Sequence, residues 1–354
     1  MKIIINADDF GPIDFVNEGI YAHVRAGNLD SVQTLSNGDE NHLHESFRKL
    51  HDSVPAGRKL EVGVHFTLTS GGPIVGDTET VKAQRWGEMV EQVNGKVQFK
   101  DYSKFYFGYA GYLPLIREEF LAQRERIERL VNLVNQEKGN SKLFVTSASS
   151  HHNLLTIAED VFEVYVESAN GLRLRSPKMK PVGTANTYYG LVLPLFNATD
   201  RKEQRQKMAA MNKAFAENKY LGPKTIEIPS PAYIDVQFYK NLGSLGVGKV
   251  TKAKIKNRMK QFEDMVNEAL QYRPNTVVES HQKIVEFVFH LGQRNAAMGN
   301  TDYSQLTNNY TGVTHKYFDN REVEVAALEA LCPQYGNYIK EFVSWEECGI
   351  VKYL

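Results

Sequence analysis

Cysteine is almost absent. Cys332 and Cys348 are the only two in 354 residues, too few for a disulfide framework or a thiolate zinc site. Excess charge is absent as well: Lys plus Arg and Asp plus Glu each total 42, for a formal net charge of +0. No overall field therefore favours nucleic acid or an anionic membrane. No apolar run approaches the roughly 20 residues of a transmembrane helix. The start, Met1-Lys-Ile-Ile-Ile-Asn-Ala-Asp-Asp-Phe-Gly11, turns acidic after one short apolar run, unlike the longer apolar region of a secretory signal. Cytoplasmic is the default expectation. Against these absences stand 42% hydrophobic and 24% charged residues, an ordinary globular balance.

Short apolar runs alternate with longer helical patterns. Strands are expected at Lys2–Asn6, Ser31–Leu35, Val62–Phe66, Leu143–Val145, Leu172–Leu174, Thr225–Ile228 and Ile284–Phe289. Helical periodicity marks Asn17–Ala26, Asn41–Asp52, Pro114–Gly139, Ala158–Glu167, Lys254–Tyr272 and Glu322–Leu331. Such alternation implies a mainly parallel sheet with helical crossovers. The number of units favours closure, so the expectation is a single α/β domain over 1–354, an irregular TIM-barrel-like (β/α) barrel. Residues 75–113, rich in aromatics from Phe105 to Tyr112, and 178–252 do not fit the repeat. Both read as insertions over the barrel mouth, because loops beyond about 15 residues are usually functional or partly structured.

Asp8 and Asp9 end the first apolar run. Adjacent carboxylates repel, and a cation removes that cost while leaving one of them free as a base. The alternative is a turn before Gly11-Pro12 that caps the next helix. His65 follows Val62-Gly-Val64, His151-His152 follow a run of small polar residues, and His290 ends Val285–Phe289. Each alone reads equally well as a core or solvated imidazole. Together, Asp8, Asp9, His65, His151 and His290 fall at the C-terminal ends of four expected strands. That edge is where parallel α/β folds build active sites. One carboxylate and two imidazoles suit a hydrolytic metal centre with open positions for water and substrate.

These segments resemble the YdjC-like (ChbG-type) carbohydrate deacetylases over most of the chain. Asn6-Ala-Asp-Asp-Phe-Gly11 is similar to the family's opening motif, and Val62-Gly-Val-His-Phe-Thr-Leu-Thr69 to its Gly-x-His-x-x-Leu-Thr segment. Asn17-Glu-Gly-Ile20, Ser31–Asn37, Glu119–Gln123, Arg175-Ser-Pro177, Val285–Gly292 and Arg321–Leu331 are similar to later segments in the same order. The His-rich motif departs from the family pattern. His151 keeps the ligand position, but Ser147 and Asn153 stand for histidines, Ser149 for an aspartate and Leu291 for a proline.

The resemblance implies removal of an N-acetyl group from an amino sugar or short oligosaccharide. It implies one divalent metal ion, Mg or Zn, held by Asp9, His65 and His151, with Asp8 as base and His290 as acid for the departing amine. Arg175 would orient Asp8 or bind substrate, with Arg173 a competitor for that place. Tyr112 and the aromatics before it would stack on sugar rings or pack under the insertion. The partners expected are a small acetylated amino sugar and, at most, a second copy of the chain in a homodimer. A metal-dependent hydrolase of another amide or ester would use the same ligands. A sugar-binding protein with a degraded site is the alternative that the altered His-rich segment favours.

Overall fold

The computed structural model describes residues 2–100, 109–151, 159–174, 236–238, 251–257, 259–260, 284–293, 296, 298 and 321–330. The first strand, β1 (Lys2–Phe10), is the apolar opening run carried through both aspartates. It leads into α1 (Asp14–Arg25), β2 (Ser31–Thr34), α2 (Glu40–Ser53) and β3 (Leu60–Phe66). Then come α3 (Glu79–Trp86), β4 (Val90–Val93), β5 (Lys96–Phe99), α4 (Leu113–Glu137), β6 (Leu143–Ser150), α5 (Glu159–Ser168) and β7 (Arg173–Leu174). The last strands are β8 (Val236–Phe238) and β9 (Ile284–Phe289), and residues 321–330 are helical.

Seven strands form one sheet in the order β7-β6-β3-β2-β1-β9-β8, every pairing parallel. Parallel sheets are covered on both faces, so their strands read as near-continuous apolar runs. β3 fits that rule, buried throughout. The first and last strands lie side by side, Lys2 opposite Ile284 and Ala7 opposite Phe289. α1 packs on α2 and α2 on α4. Their buried faces carry Phe15, Ile20, Phe47, Leu50, Ile116 and Phe120 into the core. Among the described residues no pairing joins β7 to β8. The structure therefore establishes an α/β fold with a parallel sheet, which is coarser than the closed barrel expected from sequence. No helix among the described residues is long and apolar enough to cross a membrane.

Two local expectations need correction and a third gains detail. β6 does not end at Val145 but continues to Ser150, because its small residues leave room for long side chains arriving from neighbouring strands. The stretch 75–113 holds α3 and a two-stranded antiparallel ribbon of β4 and β5. Asn94-Gly95 turns that ribbon with both residues at positive φ, 51° and 77°, the preference of a two-residue hairpin loop. Within 178–252, Val236–Phe238 is a strand of the main sheet rather than inserted chain. The strand expected at Thr225–Ile228 and much of the helix expected over Lys254–Tyr272 lie outside the described residues.

Candidate metal centre

The site begins with a break in β1. Its register with β2 shifts between Ala7 and Phe10, and Asp9 adopts φ 68°. On a regular strand, neighbouring side chains point to opposite faces. The left-handed residue brings both carboxylates to one side instead: Asp8 Oδ2 lies 3.9 Å and Asp9 Oδ1 3.5 Å from His65 Nε2. Such a conformation costs a non-glycine residue on the order of 1 kcal/mol and persists where its surroundings impose it. Here Leu35 N donates to Phe10 O at 2.9 Å, while the Asn17 amide accepts from Gly11 N and donates to Gly11 O, both at 2.8 Å. Asn6 Nδ2 donates to Asp8 Oδ1 at 2.7 Å, leaving the other oxygen toward the histidines.

His65 is the penultimate residue of β3, and His151 directly follows β6. Asp9 Oδ1 is 3.2 Å from His151 Nδ1, which is 3.2 Å from His65 Nε2. With 3.5 Å between His65 Nε2 and Asp9 Oδ1, the three atoms form a small, nearly equilateral triangle. Ligands about 2.1 Å from a tetrahedral zinc would be separated by about 3.4 Å. Asp9, His65 and His151, all buried, thus fit a divalent cation. For Asp9 and His151 the direction of the pKa shift agrees with ligation. Burial would raise the Asp9 pKa, but its hydrogen-bonding contact with the His151 ring holds it well below the usual carboxylate value. Burial lowers the His151 pKa against the opposing pull of Asp9, which favours a neutral imidazole.

His290 closes the other side, with Nε2 4.0 Å from Asp9 Oδ2. Its backbone N donates to buried Glu324 at 2.7 Å. The chain just beyond it lies against α1: Gln293 N donates to Phe15 O at 2.8 Å, and a Cβ at Gly19 would strike the backbone of Gly292. Burial, reinforced by the positive charge of Arg321, lowers the His290 pKa to about 3.

The loop after β3 carries a further polar contact. Ser70 Oγ lies 3.2 Å from His151 Nε2, and Asn37 Nδ2 donates to Ser70 O. α4 holds this loop at two points. Gln123 accepts from Thr67 N at 3.0 Å and donates to Thr67 O at 2.8 Å. The buried Glu119 carboxylate accepts from Ile74 N and Val75 N, each within 3.0 Å. Burial pushes the Glu119 pKa up against those hydrogen bonds. The β4–β5 ribbon joins the same loop through Phe99 N, which donates to Gly71 O at 2.8 Å.

Of the residues singled out in the sequence, Asp8, Asp9, His65, His151 and His290 come together. Arg175 lies outside the described residues. Tyr112 lies parallel to Trp86, with ring centroids 6.2 Å apart, and lines a cleft of about 290 Å³ with Arg85 and Glu118. Sequence reasoning missed Gln33, Ser70, Glu324 and the grip of Glu119 and Gln123. The signal available for the last pair was two polar residues four apart on an otherwise apolar helix face.

A family profile described as YdjC-like protein matches residues 2–331. The chain belongs to the YdjC-like family. It is 42% identical over 82 residues to a carbohydrate deacetylase of Halalkalibacterium halodurans, covering 23% of this chain and 32% of the relative. With a carbohydrate deacetylase of Clostridium beijerinckii it shares 26% identity over 183 residues, 52% of this chain and 62% of the relative. With a chitooligosaccharide deacetylase of Citrobacter koseri it shares 42% over 72 residues, 20% of this chain and 26% of the relative. The chain thus spans less than two thirds of the length of each of these relatives. A crystal structure from Enterococcus faecalis V583, named as a proposed cellobiose-phosphate cleavage protein, superposes with TM-score 0.52. Its 20% identity and 98% coverage of both chains show a shared fold.

Proposed function

We propose that this YdjC-like protein is a metal-dependent hydrolase that removes N-acetyl groups from amino sugars or short oligosaccharides. The observation carrying this reading is the buried triangle of Asp9, His65 and His151, with edges of 3.2 to 3.5 Å. The names of the curated relatives supply the substrate class. Two imidazoles and one carboxylate suit Zn²⁺ better than Mg²⁺, which prefers oxygen ligands. Bound among these side chains, a divalent cation supplies Lewis acidity toward water and the acetamide oxygen.

In this reading Asp8 takes the proton as water attacks the acetamide carbon. Asn6 holds one Asp8 oxygen, and the other faces His65 Nε2 at 3.9 Å. The carbon–nitrogen bond then breaks, acetate leaves, and the amine nitrogen gains a proton. His290 is the proposed donor. Its pKa is lowered to about 3 and it rests neutral, so it must take up a proton released by the attacking water before it can donate one to the amine. Arg175 and Tyr112 are proposed substrate contacts, and the ribbon within 75–113 is proposed as an insertion walling the site.

A closed barrel also belongs to this proposal. Each sheet neighbour on one side of β1 is the next main-sheet strand in chain order, and the last strand pairs with the first. Among the described strands, that circular order leaves only β7 and β8 to be joined. The experiment is acetate release from N-acetylglucosamine and its short oligomers, with Zn²⁺, with chelator, and with Asp9→Asn. Chelator-sensitive release that Asp9→Asn abolishes supports the reading. Metal binding with release only from other amides or esters favours the broader hydrolase. Tight sugar binding without metal or turnover favours a binding protein.

A further inference from the structure

We infer that Gln33, laid across Gly63, acts through Ser149 as a positioning residue, holding His65 with its proton on Nδ1 and its Nε2 lone pair toward Asp9. This rests on the metal-centre reading above and adds to it the group that decides whether His65 can ligate.

The arrangement starts in the sheet. Gln33 on β2 is level with Gly63 on β3, and Gly63 with Ser147 on β6. A side chain on Gly63 would block the path, since a Cβ built there overlaps the Gln33 amide. Glycine inside a strand weakens it and often marks close approach by another group. Here the approaching group is the Gln33 amide. The register of β6 slips between the partners of Val62 and Gly63, skipping Thr146. Such a bulge re-aims the residues beyond it. Ser147 and Ser149, two apart, then share one face and meet the Gln33 amide together. Gln33 and Ser147 are fully buried and Ser149 nearly so, a setting in which donors and acceptors must be matched.

The matching fixes the proton on His65. Gln33 Nε2 donates to Ser147 Oγ at 2.8 Å, so Gln33 Oε1 is turned toward Ser149 and accepts its hydroxyl proton at 2.9 Å. Ser149 Oγ has then spent its proton and is an acceptor toward His65 Nδ1, 2.6 Å away. His65 must supply that hydrogen from Nδ1, which leaves Nε2 with a lone pair at the Asp9–His151 corner. Turning the amide over would reverse every donor and place the hydrogen on Nε2, where it would block ligation. The residue at 149 has no charge of its own, so a neutral relay orients this imidazole where metal sites often use a carboxylate.

The test uses the full chain, freed of metal by chelation, with ¹⁵N-labelled histidine. Long-range ¹H–¹⁵N correlation in mildly alkaline buffer reads the His65 tautomer, assigned with a His65→Gln control. Zn²⁺ titration then reads affinity. The parent is expected to carry the proton on Nδ1. Gln33→Met and Ser149→Ala should mix the tautomers and weaken Zn²⁺ binding by about 10–100-fold. Gln33→Glu keeps an acceptor facing Ser149 and should hold the parent tautomer, a contrast with Gln33→Met that a merely space-filling role would not predict. If Gln33→Met fails to fold, Ser149→Ala, which removes a single oxygen, decides. A parent His65 protonated on Nε2 overturns the inference, as do variants with unchanged tautomer and affinity. If the parent binds no Zn²⁺, the hydrolase reading fails while the tautomer still decides the relay.

Discussion

His151 Nδ1 lies 3.2 Å from Asp9 Oδ1 although their strands, β6 and β1, are third neighbours in the sheet. Three intervals across a flat sheet amount to about 14 Å, more than an aspartate and a histidine can bridge between them. The sheet must therefore curl, with its C-terminal edge gathering side chains toward one point. Because the ligands come from separated strands, a bound cation ties β1, β3 and β6 together. Adding Zn²⁺ at about a hundred times its Kd is expected to stabilise the protein by about 2.7 kcal/mol, read as a rise in Tm that chelator reverses. An unchanged Tm at saturating Zn²⁺ would count against a site formed only in the folded chain.

Glu119 is expected to matter for stability through the loop it grips. Glu119→Ala removes the acceptor for Ile74 N and Val75 N, and losing such partners costs about 1–3 kcal/mol. Urea denaturation should show that loss, and limited proteolysis should cut faster between Ser70 and Val75. Glu119→Gln, which keeps one carbonyl acceptor, should fall between. Equal stability of Glu119→Ala and the parent would show that the loop is held by other contacts.

His23 sets a pH dependence away from the metal centre. Its Nε2–H donates to Val325 O at 3.2 Å, and Asn28 Nδ2 donates to Nδ1 at 3.2 Å, so the neutral ring is satisfied on both sides. Burial lowers its pKa to about 4, against the weaker upward pull of the Val325 carbonyl. Between the unfolded value near 6.5 and about 4, the unfolded chain binds a proton that the folded chain refuses. Stability due to His23 is therefore complete above about pH 6.5 and falls as pH drops toward about 4, by roughly 3 kcal/mol in all. Denaturant midpoints measured across that window should show the slope, and His23→Gln should flatten it.

The sequence made the elements legible wherever burial follows a period. β9 was expected at Ile284–Phe289 and is found there, and α2 and α4 end within two residues of expectation. The five chemical residues were legible because a parallel sheet delivers strand ends to one edge. What stayed hidden depends on sideways neighbours rather than on chain order. Thr146–Ser150 looks like a loop by composition, yet its hydroxyls serve Glu61, Gln33 and His65 across the sheet. The β4–β5 ribbon was readable from Asn94-Gly95 between two short alternating runs, and the aromatic-rich stretch beyond it obscured that signal.

The last prediction separates the roles of the two neighbouring aspartates. Asp9 is nearly fully buried, makes two edges of the ligand triangle and is held ionised by its contact with His151. Asp8 stands outside the triangle, with one oxygen bound to Asn6 and the other 3.9 Å from His65. Asparagine is the right replacement at both positions, because it keeps the shape and tolerates the left-handed backbone of Asp9. Asp9→Asn removes the only anionic corner of the triangle and should lose both Zn²⁺ and turnover. Asp8→Asn should bind Zn²⁺ within a few-fold of the parent while turnover drops by about 10²–10⁴-fold, the usual contribution of a general base. Metal content and acetate release, measured on the same preparations, check both outcomes. Loss of metal from Asp8→Asn with retention in Asp9→Asn would exchange the two roles. Parent-like metal content and turnover in both would leave neither aspartate in the mechanism.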